Sequence, residues 1–286
     1  MSVSRPIAYI IEGNGLQLNI ALIETEKLIL HEEIIPESLE RLRNNIKFDN
    51  IIHSPVIVDS NSLVILDGAH RVTALKSLGC RYTPVCLVDY YNQEIKLDRW
   101  CRTFRGDIKT DDVIFRAQEL GVTITLIEDD VYDESKTLII SNGQSYQLKA
   151  PFDGVEQEFS VVSELESWAI SMGIKVKHET YQDALMHLKQ GIYPLILCPP
   201  KLNKSQVINV TQNGNVFTHK ATRHRIPARP MGLNIPLSIL QDPNLTVEEA
   251  NELLSQYLHN KSLKRIPPGG ILFNRRYDEE VFIFED

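Results

Sequence analysis

Short apolar runs, each closed by turn residues, fill the first hundred positions of the chain. Residues 7–11 are apolar and are followed by Gly13-Asn14-Gly15, which predicts a strand, a tight turn and a second strand. Leu28-Ile29-Leu30 is a brief apolar stretch that leads into His31-Glu32-Glu33. Pro36 then opens a helix, where its missing N–H costs nothing, and Leu39, Leu42 and Ile46 mark the buried face. Residues 55–58 and 63–66 read as strands on either side of a turn at 59–62. A helix follows Asp67, burying Val72, Leu75 and Leu78 and stopping at Gly79. Residues 83–88 form a further strand.

Beyond Gly106 the pattern alternates differently. Residues 111–120, 160–172 and 181–189 carry helical periodicity, and 122–127 and 193–197 read as strands. Residues 138–140 and 146–148 flank Ser141-Asn142-Gly143-Gln144, a hairpin signal because Asn-Gly tolerates positive φ. Thr246-Val247-Glu248-Glu249 is a capping box opening a helix with Leu253, Leu254 and Leu258, and residues 281–284 close as a strand. The fold class expected is α+β, with domains at 1–106 and 107–286.

The 286 residues are 43% hydrophobic and 24% charged, ordinary values for a globular protein. No apolar run is long enough to cross a membrane, and the first six residues lack a signal-peptide core, so a cytoplasmic protein is expected. Cys80, Cys86, Cys101 and Cys198 show no ligand spacing and are expected to be free thiols, mostly buried. A net charge of −8 argues against a dedicated DNA-binding protein. Basic residues nevertheless gather at Lys220, Arg223, His224, Arg225 and Arg229, and again at Lys261, Lys264, Arg265, Arg275 and Arg276. Either cluster suits a small polyanion or a solvated basic surface. His53, His178, His187, His219 and His259 show no metal-ligand spacing and are expected on the surface.

The densest chemistry lies in Asp67-Gly68-Ala69-His70-Arg71. A strand running into a helix start presents unpaired N–H groups and partial positive charge, which suits phosphate. Arg71 could add a donor fork, and Asp67 could hold a metal ion or orient a hydroxyl. The plainer alternative is a βα turn with Asp67 as its N-cap. Glu32 or Glu33 could act as general base, or simply belong to a charged loop. Trp100 could wall a ligand cleft or pack a hinge. Thr222-Arg223-His224 could grip a carboxylate or phosphate, or form an exposed basic loop.

Residues 64–80, VILDGAHRVTALKSLGC, followed by Pro84-Val85, resemble the signature of free L-serine kinases of the ParB/sulfiredoxin-like superfamily. The relatives in view are archaeal ADP-dependent serine kinases and the serine kinase of staphylococcal siderophore clusters. Leu30-His31-Glu32, Trp100, Thr222-Arg223 and residues 233–237 (LNIPL) resemble further elements of that family. The resemblance extends from about Lys27 to the C-terminus. In one respect the chain departs: many relatives carry two histidines after Asp-Gly, and here the first is Ala69.

The resemblance implies a ParB/sulfiredoxin-like nucleotide-phosphate-binding domain, a larger substrate-binding domain and an active-site cleft between them. It implies phosphorylation of free L-serine to O-phospho-L-serine by ATP or ADP with Mg²⁺. In this assignment Glu32, Asp67 and His70 are catalytic, and Asp67 holds the metal or the hydroxyl. Gly68, Ala69, His70 and Arg71 hold phosphate, and Trp100, Thr222, Arg223 and His224 hold the amino acid. No membrane or nucleic-acid partner is implied, and the cysteine or siderophore pathway served stays open. The competing reading is a ParB-like module that senses a nucleotide or amino acid, or binds DNA, without kinase activity.

Overall fold

The computed structural model describes residues 5–127, 133–141, 143–272 and 275–286. Two compact units emerge. One joins Met1–Lys96 to His224–Asp286, and the other is Leu97–Arg223. The expected division, 1–106 and 107–286, follows sequence order, which gives no sign of such a return of the chain. The return is made by pairing. Ile235–Pro236 runs antiparallel to Ile51–Ile52, and the Asn251 side chain reaches Leu22.

The first unit is built on a five-stranded sheet. Its order is Tyr9–Gly13, Leu16–Glu24, Tyr82–Val88, Val56–Asp59, Ile65–Asp67. All neighbours are antiparallel except Val56–Asp59 and Tyr82–Val88, which are parallel. The first strand begins two residues later than its apolar run suggested. The turn behind it has positive φ at both Asn14 and Gly15, the primed geometry that matches strand twist. One sheet face packs Ala21, Ile23, Val58, Ile65 and Val85 against Val72 of the helix Ala69–Ser77. Alternation along the strands therefore fixes which way Asp67 points out of the last one.

Leu22 lies beyond the pairing of Tyr9 with Ile20, so a neighbour strand no longer serves its backbone. The Asn251 amide replaces that strand, accepting from Leu22 N–H at 2.8 Å and donating to its carbonyl at 2.9 Å. Asn251 sits on the helix Val247–His259, whose Thr246/Glu249 capping box forms as expected. A second sheet places Glu280–Glu285 between Ala228–Met231, parallel, and Ser262–Ile266, antiparallel.

The second unit holds a six-stranded antiparallel sheet in the order Lys175–Thr180, Trp100–Arg105, Leu195–Cys198, Thr137–Ser141, Gln144–Lys149, Thr123–Ile127. Phe104, Ile139, Leu148, Leu195 and Leu197 face the helices Thr110–Glu119 and Val155–Ser171. The second helix starts five residues ahead of the expected position. The opposite face packs Cys101, Leu138, Ile196 and Cys198 against the helix Tyr181–Lys189. The expected hairpin is present, with Ser141 opposite Gln144; its Asn142 lies outside the described residues, as do Met1 to Ser4.

The expectation of four free thiols needs correction. Cys101 and Cys198 form a disulfide, while Cys80 and Cys86 are free and buried. Leu197 pairs with Arg102, so one step along the antiparallel ladder sets Cys198 opposite Cys101, with Cα atoms 4.4 Å apart. Register across 97 positions created the pair, and no local spacing could announce it. Among the described residues, no helix is long and apolar enough to cross a membrane.

Candidate active site

The sheet edge delivers Asp67 to a helix start. Asp67 is the last residue of its strand, and Gly68 is the N-cap of the helix that follows. The plain reading of Asp67 as N-cap therefore does not hold; its carboxylate is engaged elsewhere. Gly68 adopts φ 103°, and a Cβ there would lie 2.8 Å from Arg71 Nη2. Glycine is required both by the left-handed backbone and by the guanidinium folded over it.

Arg71 curls back beneath this turn. Its Nη1 donates to the carbonyls of Ser54, at 3.1 Å, and Pro55, at 2.5 Å. Its Nη2 reaches Asp67 Oδ2 at 3.2 Å. Arg229 Nη1 meets the same oxygen at 3.0 Å, and Arg229 Nε pairs with Glu279 at 2.5 Å. A chain of alternating charge results: Arg71, Asp67, Arg229, Glu279. Burial alone would raise the Asp67 pKa, but Arg71 and then Arg229 outweigh it and hold the carboxyl below its ordinary value. Burial pushes the Arg71 pKa down, and Asp67 opposes that shift.

His70 ties the helix start to its surroundings. Its Nε2 accepts the Ile35 N–H at 3.2 Å, just ahead of the helix Pro36–Asp49. That acceptor role places the proton of the neutral ring on Nδ1. Ala69 packs its methyl against the apolar cluster of the sheet.

His31 is buried, and its Nε2 lies 3.4 Å from Glu32 Oε1. The His31 ring meets His224 edge-on, with centroids 5.2 Å apart. The Tyr90 hydroxyl and His224 Nε2 are 2.8 Å apart, and the His224 ring also hydrogen-bonds the Leu66 backbone. Burial pushes the His224 pKa down to about 3; His31 adds to the fall, while Glu32 and Asp67 oppose it. The imidazole is neutral at pH 7 and donates its one N–H to the Leu66 backbone, so the Tyr90 hydroxyl donates and Nε2 accepts. Burial also raises the Tyr90 pKa. His224 is thus the common neighbour through which Glu32 and Asp67 enter one electrostatic neighbourhood.

In the second unit, Trp100 is flanked by two cations. The Arg223 guanidinium lies 5.4 Å and the Lys220 ammonium 5.5 Å from its ring centre. Arg223 Nη1 is 3.9 Å from Asp98, and Thr222 is buried.

Arg229 belongs to a basic cluster in the sequence that by itself gives it no site role. Glu279 and Tyr90 had carried no signal. Their link to Asp67 and His224 is tertiary, and the basic run from Lys220 to Arg229 was the only available pointer.

A carboxylate at a helix start, braced by two guanidiniums and neighboured by a second carboxylate, is suited to phosphoryl-transfer chemistry. The resemblance read from the sequence is met by named proteins: the chain is similar to several L-serine kinases. It is 28% identical over 234 residues to the ATP-dependent L-serine kinase of Desulfurococcus mucosus, covering 77% of this chain and 90% of that one. It is 23% identical to the ATP-dependent L-serine kinase SbnI of Staphylococcus aureus, over 95% of this chain and 99% of the relative. The fold is similar to that of a glutamate-to-alanine variant of a free serine kinase in complex with AMP. There the TM-score is 0.67 at 21% identity, over 84% of this chain and 98% of the other. No family model matches the chain.

Proposed function

We propose that this protein is a free L-serine kinase, a phosphotransferase that converts L-serine to O-phospho-L-serine with ATP or ADP as donor. The observation that carries the reading is the Asp67 carboxylate at the Gly68 helix start, braced by Arg71 and Arg229, in a unit where the His224 ring meets His31, the neighbour of Glu32. Named L-serine kinases similar over most of the chain support it.

In the reaction, the serine Oγ–P bond forms as the bond from phosphorus to the nucleotide's bridging oxygen breaks, releasing ADP from ATP or AMP from ADP. Glu32 takes the hydroxyl proton. Backbone N–H groups at the start of the helix Ala69–Ser77 and His70 Nδ1–H face the transferring phosphate. Asp67 orients the hydroxyl. Arg71 acts by fixing Asp67 and Gly68, because its fork is committed to Ser54, Pro55 and Asp67. Thr222 and Arg223 are assigned to the amino-acid carboxylate. His224, being neutral, contributes hydrogen bonding in place of charge, and Trp100 forms a wall.

The donor set fits a Mg²⁺ ion arriving on nucleotide phosphates. Both guanidiniums take Asp67 Oδ2, which leaves Oδ1 as the oxygen to offer the ion. When bound, the ion neutralises phosphate charge. We further assign the Asp67–Arg71 element to a ParB/sulfiredoxin-like nucleotide-phosphate-binding domain, and the protein to the cytoplasm.

The test incubates the protein with ATP or ADP, Mg²⁺ and a panel of hydroxy amino acids, followed by mass detection of phosphoamino acids. O-phosphoserine is expected. No product from any of them would favour a nucleotide- or amino-acid-sensing module, and phosphothreonine alone would change the substrate.

A further inference from the structure

A second cluster of metal-ligating side chains lies wholly within Leu97–Arg223, and the kinase chemistry does not use it. Glu166 comes from the helix Val155–Ser171, His178 from the strand Lys175–Thr180, and His219 from the segment before Thr222. Both histidines, expected on the surface, are partly exposed, and both turn onto one buried carboxylate. His178 Nε2 is 2.9 Å and His219 Nε2 3.6 Å from Glu166 Oε1, and all three ligand atoms lie within 4.8 Å of one another.

We propose that Glu166, His178 and His219 form a binding site for a divalent transition metal of the zinc class. Zinc held tetrahedrally at about 2.0–2.1 Å places neighbouring ligand atoms about 3.4 Å apart. The observed separations from Oε1 bracket that value.

Two further observations point the same way. His178 Nε2 is shielded from solvent and approaches the carboxylate without hydrogen-bond geometry, as two ligands converging on a shared point do. The other carboxylate oxygen is held at 2.9 Å by Arg102 Nε, from a fully buried guanidinium. This leaves Oε1 as the coordinating oxygen and supplies the outer support that metal-ligating carboxylates use. Three protein ligands leave a fourth position for water or a small molecule.

Occupancy would matter to the neighbouring segment. Arg102 also donates to the carbonyls of Trp100, His219 and Lys220, at 3.0, 3.0 and 3.1 Å. Lys220 in turn lies over the Trp100 ring. A metal ion would pin His219 and with it the start of the 219–223 segment. This inference does not depend on the kinase reading.

The full chain, stripped with chelator, is titrated with Zn²⁺ by calorimetry alongside His178→Asn and His219→Asn. Circular dichroism confirms that both variants fold. One Zn²⁺ per chain is expected, bound more than tenfold more weakly by each variant. Co²⁺ loading should give the intense visible bands of a tetrahedral site, reduced in both variants. Absence of stoichiometric binding, or binding undiminished in either folded variant, would overturn the proposal.

Discussion

Asp67 and Arg229 stand 162 positions apart and share an ion pair of 3.0 Å. Arg229 is anchored on its far side by Glu279, so the carboxylate is oriented by a residue that is itself held. Arg229→Ala should lower turnover about 10- to 100-fold, with Arg229→Lys partly restoring it. The pair is partly solvated, so its loss should cost only about 1–2 kcal/mol of stability. Phosphoserine formation and urea unfolding measure the two effects, and wild-type turnover in the alanine variant would remove Arg229 from the site.

Glu32→Gln removes the proton acceptor while keeping shape. General bases contribute about 10²–10⁴-fold, so kcat should fall within that range with KM little changed. Turnover close to wild type would shift the role to Glu33 or to no side chain at all.

Gly68 and Gly79 both have positive φ, yet only Gly68 has a guanidinium in the space a Cβ would take. Gly79→Ala should cost about 1 kcal/mol from backbone strain alone. Gly68→Ala adds displacement of Arg71 and should cost more, with loss of activity. Equal shifts in Tm for the two variants would show that the Arg71 contact does not matter.

His224 gives the stability curve a defined direction. Its folded pKa is depressed to about 3, against about 6.5 when unfolded. The unfolded chain therefore binds the proton first. The full contribution is present above about pH 6.5 and declines as pH falls toward 3, by up to about 1.4 kcal/mol per unit. Urea unfolding at pH 7 and pH 5 should show the decline, and His224→Gln should lessen it. Identical pH dependence in the two proteins would contradict a buried neutral imidazole.

Thiol titration in denaturant should count two thiols before reduction and four after, because only Cys101 and Cys198 are paired. In the native protein Cys80 and Cys86 should label slowly: burial raises their pKa values to about 11 and about 12.

Local signals in the sequence proved dependable. Pro36, Gly79 and Thr246–Glu249 mark the helix ends they should, since capping depends on residues within one turn. The Asp67–Arg71 turn could also be read, as a strand running into a helix. What Arg71 does there could not. Its donors turn inward to Ser54, Pro55 and Asp67, which depends on the path of a preceding strand. Tyr90, Glu279, the Cys101–Cys198 bond and the Glu166 cluster were hidden for the same reason, because each is made by register or packing between distant segments.

The discontinuous first unit sets an order on biosynthesis. A ribosome delivers Asp67 early, but its bracing partner Arg229 comes 162 residues later, and Glu279 fifty residues after that. The strand carrying Ala228 cannot pair until Glu280–Glu285 has been made. The nascent chain therefore holds Asp67 braced by Arg71 alone until Arg229 is made, and Ala228–Met231 unpaired until Glu280–Glu285 follows. Such non-local closure is slow and sets formation of the site after Glu279 and Glu280–Glu285 have been made. Activity in a synchronised translation reaction should consequently appear only after the residues through Glu285 have been made.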